Sequence, residues 1–192
     1  MGQYFTPTII DAAGRVTAAL DPSDYGCGLK LFGHTRYDTN LMRAVELLLA
    51  ADGGARLVWA GDYAEDDPAT GTNLYFAAQP RHFVRFAGLV EDRDTATTAV
   101  PGGALSGTRW GTGPAMRYVV NADRREYLDN HQLPADSDGY RRTPLPTLTC
   151  EGSGAPYDDF TMGRWARQRI YLTATPPAAD YRLLTSGLLS WA

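Results

Sequence analysis

The chain has 192 residues, 44% of them apolar, which is enough to bury a core as one domain or as two small halves. Its net charge is −4, and its seventeen arginines are adjacent only at Arg124-Arg125 and Arg141-Arg142. With no basic stripe, sequence-independent binding to extended nucleic acid is disfavoured.

Two cysteines, Cys27 and Cys150, are too few for a disulfide scaffold. No window approaches the roughly eighteen apolar residues of a membrane span, so no membrane partner is indicated. The start carries no secretory signal, and a reduced, cytoplasmic setting is expected.

Tyr4 and Phe5 read as the opening of a core strand. That strand runs to Ile9-Ile10 and turns through Asp11-Ala12-Ala13-Gly14-Arg15, a hairpin signal. Gly26-Cys27-Gly28-Leu29-Lys30-Leu31-Phe32-Gly33-His34 then reads as a short strand bounded by glycines, with Leu29 and Leu31 on one face. Lys30 is the only lysine in the chain. A compact ammonium suits a site that meets one oxygen or gives up a proton, which a rigid guanidinium does poorly. Strand alternation equally allows Lys30 to point to solvent. His34 falls just beyond the strand.

Thr39 to Ala51 carries the clearest helical signal. Asp38 or Thr39 can cap it, Leu41, Val45 and Leu48 recur at helical spacing, and Asp52-Gly53-Gly54 stops it. Arg56-Leu57-Val58-Trp59-Ala60 is the best strand of the first half. Gly61 and Asp62 follow it, a placement that presents an acid at a pocket rim or caps a turn. Asp66-Asp67-Pro68 and Ala69 to Thr72 read as a surface loop leading to a strand at Leu74-Tyr75-Phe76-Ala77.

Residues 100–114 hold five glycines and read as a linker between a first β-rich repeat, 1–99, and a second, 115–192, the whole forming one compact unit. Trp110 in this linker is a candidate exposed lid, whereas Trp59 and Trp165 read as core anchors. The division rests on echoes: Ile9-Ile10-Asp11 recurs as Val119-Val120-Asn121, and Arg56-Leu57-Val58-Trp59-Ala60 as Arg169-Ile170-Tyr171-Leu172-Thr173. Pro144 to Cys150 occupies the place of the Lys30 strand, and Glu151 with Gly152-Ser153-Gly154 and Tyr157 to Phe160 reads as an acidic loop replacing the helix. The fold class expected is α+β and predominantly antiparallel, as two fused pseudo-symmetric repeats with one clear helix in the first.

His34, His82 and His131 lack metal-ligand spacing, and neither cysteine lies in a CxxC pair, so no metal is indicated. Phosphate-loop, dinucleotide and nucleophile-elbow patterns are missing, and no cofactor is indicated. A cleft between the halves is expected to carry Lys30, His34, Asp62 and Glu151, approached by Trp110. The leading expectation is a binding protein for a small polar or phosphorylated ligand. The alternatives are a hydrolase or transferase using Lys30 with Asp62 or Glu151 as base, and a structural or protein-interaction module.

Several segments together carry a likeness: Gly2-Gln3-Tyr4, Gly28-Leu29-Lys30-Leu31, Val58-Trp59-Ala60-Gly61-Asp62-Tyr63, Asn73-Leu74-Tyr75, Pro144-Leu145-Pro146 and Cys150-Glu151-Gly152-Ser153-Gly154. In these the chain resembles a family of uncharacterised small bacterial and phage proteins, whose members carry MGQYY, GLKLMEH, VWAGDYAD, a central YIVN-type strand, HPLPLLTxEGNG and WARD segments. It departs at Phe32-Gly33 before His34, and at Arg167-Gln168 after Trp165-Ala166, where an acid is usual in the family. The family's distribution in phages implies interference with host small-molecule signalling or defence.

Overall fold

The computed structural model describes residues 3–68, 70–90, 116–152 and 162–184. Strand β1 (Phe5–Ile10) turns back into β2 (Val16–Ala19). Asp11 closes the turn, its Oδ1 accepting the N–H groups of Ala13 and Arg15 at 2.9 Å each, while Gly14 adopts φ 80°. β3 (Ala55–Gly61) lies antiparallel along the other edge of β1, from Phe5 opposite Gly61 to Ile10 opposite Arg56.

The second segment also begins with a hairpin, β4 (Tyr118–Asn121) and β5 (Glu126–Asp129), whose turn is held by Asn121 Oδ1 accepting from Arg124 N at 2.9 Å. After the two-residue β6 (Cys150–Glu151), strand β7 (Arg169–Thr173) returns antiparallel to β4, and β8 (Arg182–Leu183) adds parallel to β5. β3 and β7 pair antiparallel at Ala55 with Ile170 and at Arg56 with Arg169, which joins everything into one eight-stranded sheet. Its order is β2-β1-β3-β7-β4-β5-β8, with β6 parallel to β3. The architecture is α+β and predominantly antiparallel.

Four helices complete the described residues: α1 (Leu31–His34), α2 (Asn40–Ala50), α3 (Leu74–Ala77) and α4 (Leu145–Thr149). α2 forms where its signals place it. Thr39 Oγ1 accepts from Met42 N at 3.2 Å, satisfying one orphan donor of the first turn, and Leu41, Val45, Leu48 and Leu49 are buried. The unbroken apolar run of β3 reflects burial on both faces: Leu57 and Trp59 enter the large core cluster with α2, and Val58 and Ala60 pack with Ile10 and Leu74 in a second. No helix among the described residues is long and apolar enough to cross a membrane.

Three expected strands are helical instead. At Lys30 to His34, residues Leu31 and His34 are both buried, a spacing of three that is one helical face, so alternation misleads there. Leu74 to Ala77 is helical because Asn73 Oδ1 accepts from Phe76 N at 3.2 Å, an N-cap. Over Pro144 to Thr149, Leu145 and Leu148 share a buried face and Thr149 Oγ1 donates to the Leu145 carbonyl at 2.8 Å. The linker 100–114, its Trp110, and residues Tyr157 to Phe160 lie outside the described residues.

At the end of β3 the Gln3 side chain lies between two glycines. A Cβ on Gly152 would meet Gln3 amide atoms at 2.5–2.8 Å, whereas one on Gly61 would meet Gln3 Nε2 at 2.4 Å and also the Glu151 backbone oxygen at 2.6 Å. Gly152→Ala is therefore expected to cost about 1–3 kcal/mol by overpacking, and Gln3→Ala in the same chain to relieve most of that increment. Gly61→Ala keeps its backbone clash and gains little relief. Denaturant midpoints of the two cycles check this, and a Gly152→Ala penalty unchanged by Gln3→Ala would refute the wedge.

Candidate functional site

The loop after β3 (63–68), strand β6 and the turn before β7 line an open cavity of about 630 Å³. Tyr63, Glu65, Asp66, Asp67, Glu151 and Arg167 line it, with Met162 and Cys150 contributing apolar wall. Glu151 reaches this position because β6 runs parallel beside β3, opposite Ala60.

Arg167 organises the wall. It takes φ 62°, an unusual conformation for a residue with a Cβ, and its guanidinium spans two carboxylates. Nε and Nη2 donate to Glu151 Oε1 and Oε2 at 2.5 and 3.0 Å, and Nη1 donates to Asp67 Oδ2. The hydrogen bonds it donates to Glu151, then to Asp67, hold Arg167 charged well above its usual range, against the opposing effect of burial. Asp67 is itself buried, so the triad is a fixed element of the wall. Around it the lining carries four carboxylates, Glu65, Asp66, Asp67 and Glu151, against one guanidinium, an excess of negative charge.

The residues singled out from sequence separate. Glu151 lines the cavity, but Lys30, His34 and Asp62 do not. Lys30 is exposed at the N-cap of α1, its Nζ 4.5 Å from the centroid of the Tyr4 ring, and Asp62 Oδ1 accepts from Tyr4 N at 2.9 Å. Tyr4 thus links Lys30 and Asp62 on the surface.

His34 turns the other way and is fully buried. Its Nδ1 accepts from Trp59 Nε1 at 3.0 Å, which makes Nε2 the donor to the Gly28 carbonyl at 2.6 Å. Burial lowers its pKa to about 4, although the Gly28 bond opposes the shift, and the imidazole is neutral at pH 7. The expected placement of His34 on a cleft is corrected on this ground: both ring nitrogens are engaged inside the core.

Both cysteines are unbridged. Burial pushes the Cys150 thiol up to about 11, and its Sγ donates to the Thr147 carbonyl at 3.2 Å, so it is a poor nucleophile.

Asp67 and Arg167 were not singled out by sequence. Asp67 is embedded in a polar loop run, and nothing local marks Arg167 as left-handed. Gln168 Oε1 accepts from the buried Asn121 Nδ2 at 2.7 Å, a role an amide oxygen fills without charge. Comparison with protein-family models, curated proteins and solved structures gives no match.

Proposed function

We propose that the chain binds a small polar ligand in the cavity built around Arg167, and that the ligand carries an amine or several hydroxyls. The observation that carries this reading is the acidic lining: four carboxylates and a single guanidinium, which pairs with two of them, surround about 630 Å³. A phosphorylated ligand would meet repulsion there, whereas an ammonium would gain from Glu65 and Asp66, to which Arg167 makes no ion pair among the described residues. Binding is favoured over turnover by the state of the reactive groups. Glu151 and Asp67 are committed to Arg167, His34 is neutral and enclosed, and the Cys150 thiol is raised.

The same reading includes a duplication of the two β-rich segments. Its support is that each orders its strands alike, β2-β1-β3 and β5-β4-β7, with the echoed Arg56 and Arg169 opposite one another at the join.

Thermal melts of the full chain with putrescine, a neutral sugar and inorganic phosphate test the ligand class. Putrescine is expected to raise the melting temperature, in a manner that fades with salt. Glu65→Gln, at an exposed position, should weaken that effect several-fold while leaving the unliganded melt unchanged. Stabilisation by phosphate alone that Glu65→Gln strengthens would reverse the charge assignment, and none by putrescine or the sugar would remove the reading.

A further inference from the structure

A second cavity, of about 510 Å³, opens at the start of β3 and shares no lining residue with the acidic one. Two of its lining residues, Arg56 and Arg169, are direct cross-strand partners at the centre of the sheet. Like charges placed directly opposite one another destabilise a ladder, so the pairing calls for a counter-charge.

Among the described residues the counter-charge is less than two arginines need. Asp123 Oδ2 accepts from Arg56 Nη1 at 3.2 Å and from the backbone N–H of Arg169 at 2.9 Å. The Arg169 guanidinium donates to the Gly53 carbonyl at 3.1 Å and forms no ion pair among the described residues. The other acid in the lining, Asp11, is occupied by Arg15, which binds it through backbone N–H, Nε and Nη2. The remaining walls are largely apolar, with Ile9, Ile10, Leu48 and Ala51 among them.

We propose that this cavity binds a phosphorylated small molecule, with the phosphoryl oxygens taken by Arg56 and Arg169 and the organic body against the apolar walls. Guanidinium groups match phosphate oxygens in geometry and keep their charge at any physiological pH. A phosphoryl dianion supplies the charge that the ladder pair lacks among the described residues, and the apolar walls distinguish a phosphomonoester from the free ion.

Isothermal titration of the full chain with inorganic phosphate, adenosine monophosphate and adenosine tests the assignment. Adenosine monophosphate is expected to bind at least tenfold tighter than inorganic phosphate, and adenosine not measurably. Arg169→Gln should lower affinity for adenosine monophosphate tenfold or more without lowering the melting temperature of the unliganded chain, because it also removes one of the two opposed charges. Because Arg56 also holds the Arg167 carbonyl at 2.9 Å and its loss could disturb the fold, Asp123→Asn serves as the second variant. Removing that competing charge should tighten binding several-fold. Equal affinity for phosphate and adenosine monophosphate would assign the cavity to the free ion and overturn the proposal. So would an Arg169→Gln variant that binds like the parent chain. Glu65→Gln should leave these titrations unchanged, so failure here and failure of the amine-binding reading are separable.

Discussion

Glu126→Gln is expected to be among the most destabilising single changes among the described residues, at about 3 kcal/mol, because it removes the buried carboxylate on which the partly exposed Arg124, Arg164 and Arg182 converge. Glu126 is 4% exposed. Its Oε2 accepts from Arg164 Nε at 3.1 Å and from Trp165 Nε1 at 2.9 Å, and its Oε1 from Arg182 Nη2 at 2.6 Å and from Arg164 Nη2. Arg124 approaches Oε2 at 3.6 Å. Glutamine preserves the volume and one acceptor, but turns an NH2 group toward guanidinium donors and leaves Arg164 and the enclosed Trp165 short of partners. At roughly 2–4 °C per kcal/mol for a chain of this size, the melting temperature should fall on the order of 10 °C. Arg182→Gln is the control: that side chain is 64% exposed, and its loss should cost about 1 kcal/mol or less. Equal losses in the two variants would show that the carboxylate is incidental.

The same group makes a pH prediction whose sign is fixed. Burial alone would raise the Glu126 carboxyl, but the bonds from Arg164, Trp165 and Arg182 overcome it and bring the pKa to about 2, below its ordinary 4.5. A carboxyl depressed on folding contributes stability that is fully present above the ordinary value and lost as pH falls through the folded one. The gap in stability between the parent chain and Glu126→Gln should therefore be constant above about pH 5 and close progressively toward pH 2. Asp129, depressed to about 2 chiefly by Arg117, titrates in both proteins and drops out of the difference.

What sequence made legible follows from how local each signal is. α2 carries its cap, its period and its glycine stop within fifteen residues or so, and β3 announces double-sided burial by an unbroken apolar run. The helical turn at Leu31 to His34 is too short to show a period. Four residues fit either alternation or one turn, and the turn separates Lys30 from His34, sending the first to the surface and the second against Trp59. The wall of the acidic cavity is less legible still. Asp67, Glu151 and Arg167 come from three parts of the chain, and their meeting depends on a left-handed Arg167 that no neighbouring residue dictates. Glu151 could be anticipated because it follows the Pro144 to Cys150 segment that reads as a strand; its partners could not.

Gly54→Ala should rival Glu126→Gln in cost, through the backbone rather than charge. Gly54 has φ 111° and ψ 165°, a region that residues with a Cβ rarely enter, at about 1–3 kcal/mol. The added Cβ would also lie 2.5 Å from the Ile170 carbonyl oxygen and 2.6 Å from Tyr171 Cβ, neither of which is the mobile end of a side chain. Relief would require β3 to draw away from β7 at the Ala55–Ile170 pair, where the two segments share the sheet. Overpacking of this kind adds about 1–3 kcal/mol more, for a total near 4 kcal/mol. Gly53→Ala isolates the first effect: its φ is 71°, but the nearest atom to the new Cβ is Arg169 Nη2 at 3.5 Å, an ordinary contact, so about 1 kcal/mol is expected. Chemical denaturation of both variants gives the totals, and amide hydrogen exchange at Ala55 and Ile170 reports the local opening. Similar losses in Gly53→Ala and Gly54→Ala, with no faster exchange at the β3–β7 pair in the latter, would contradict the close approach on which the joining of the two segments depends.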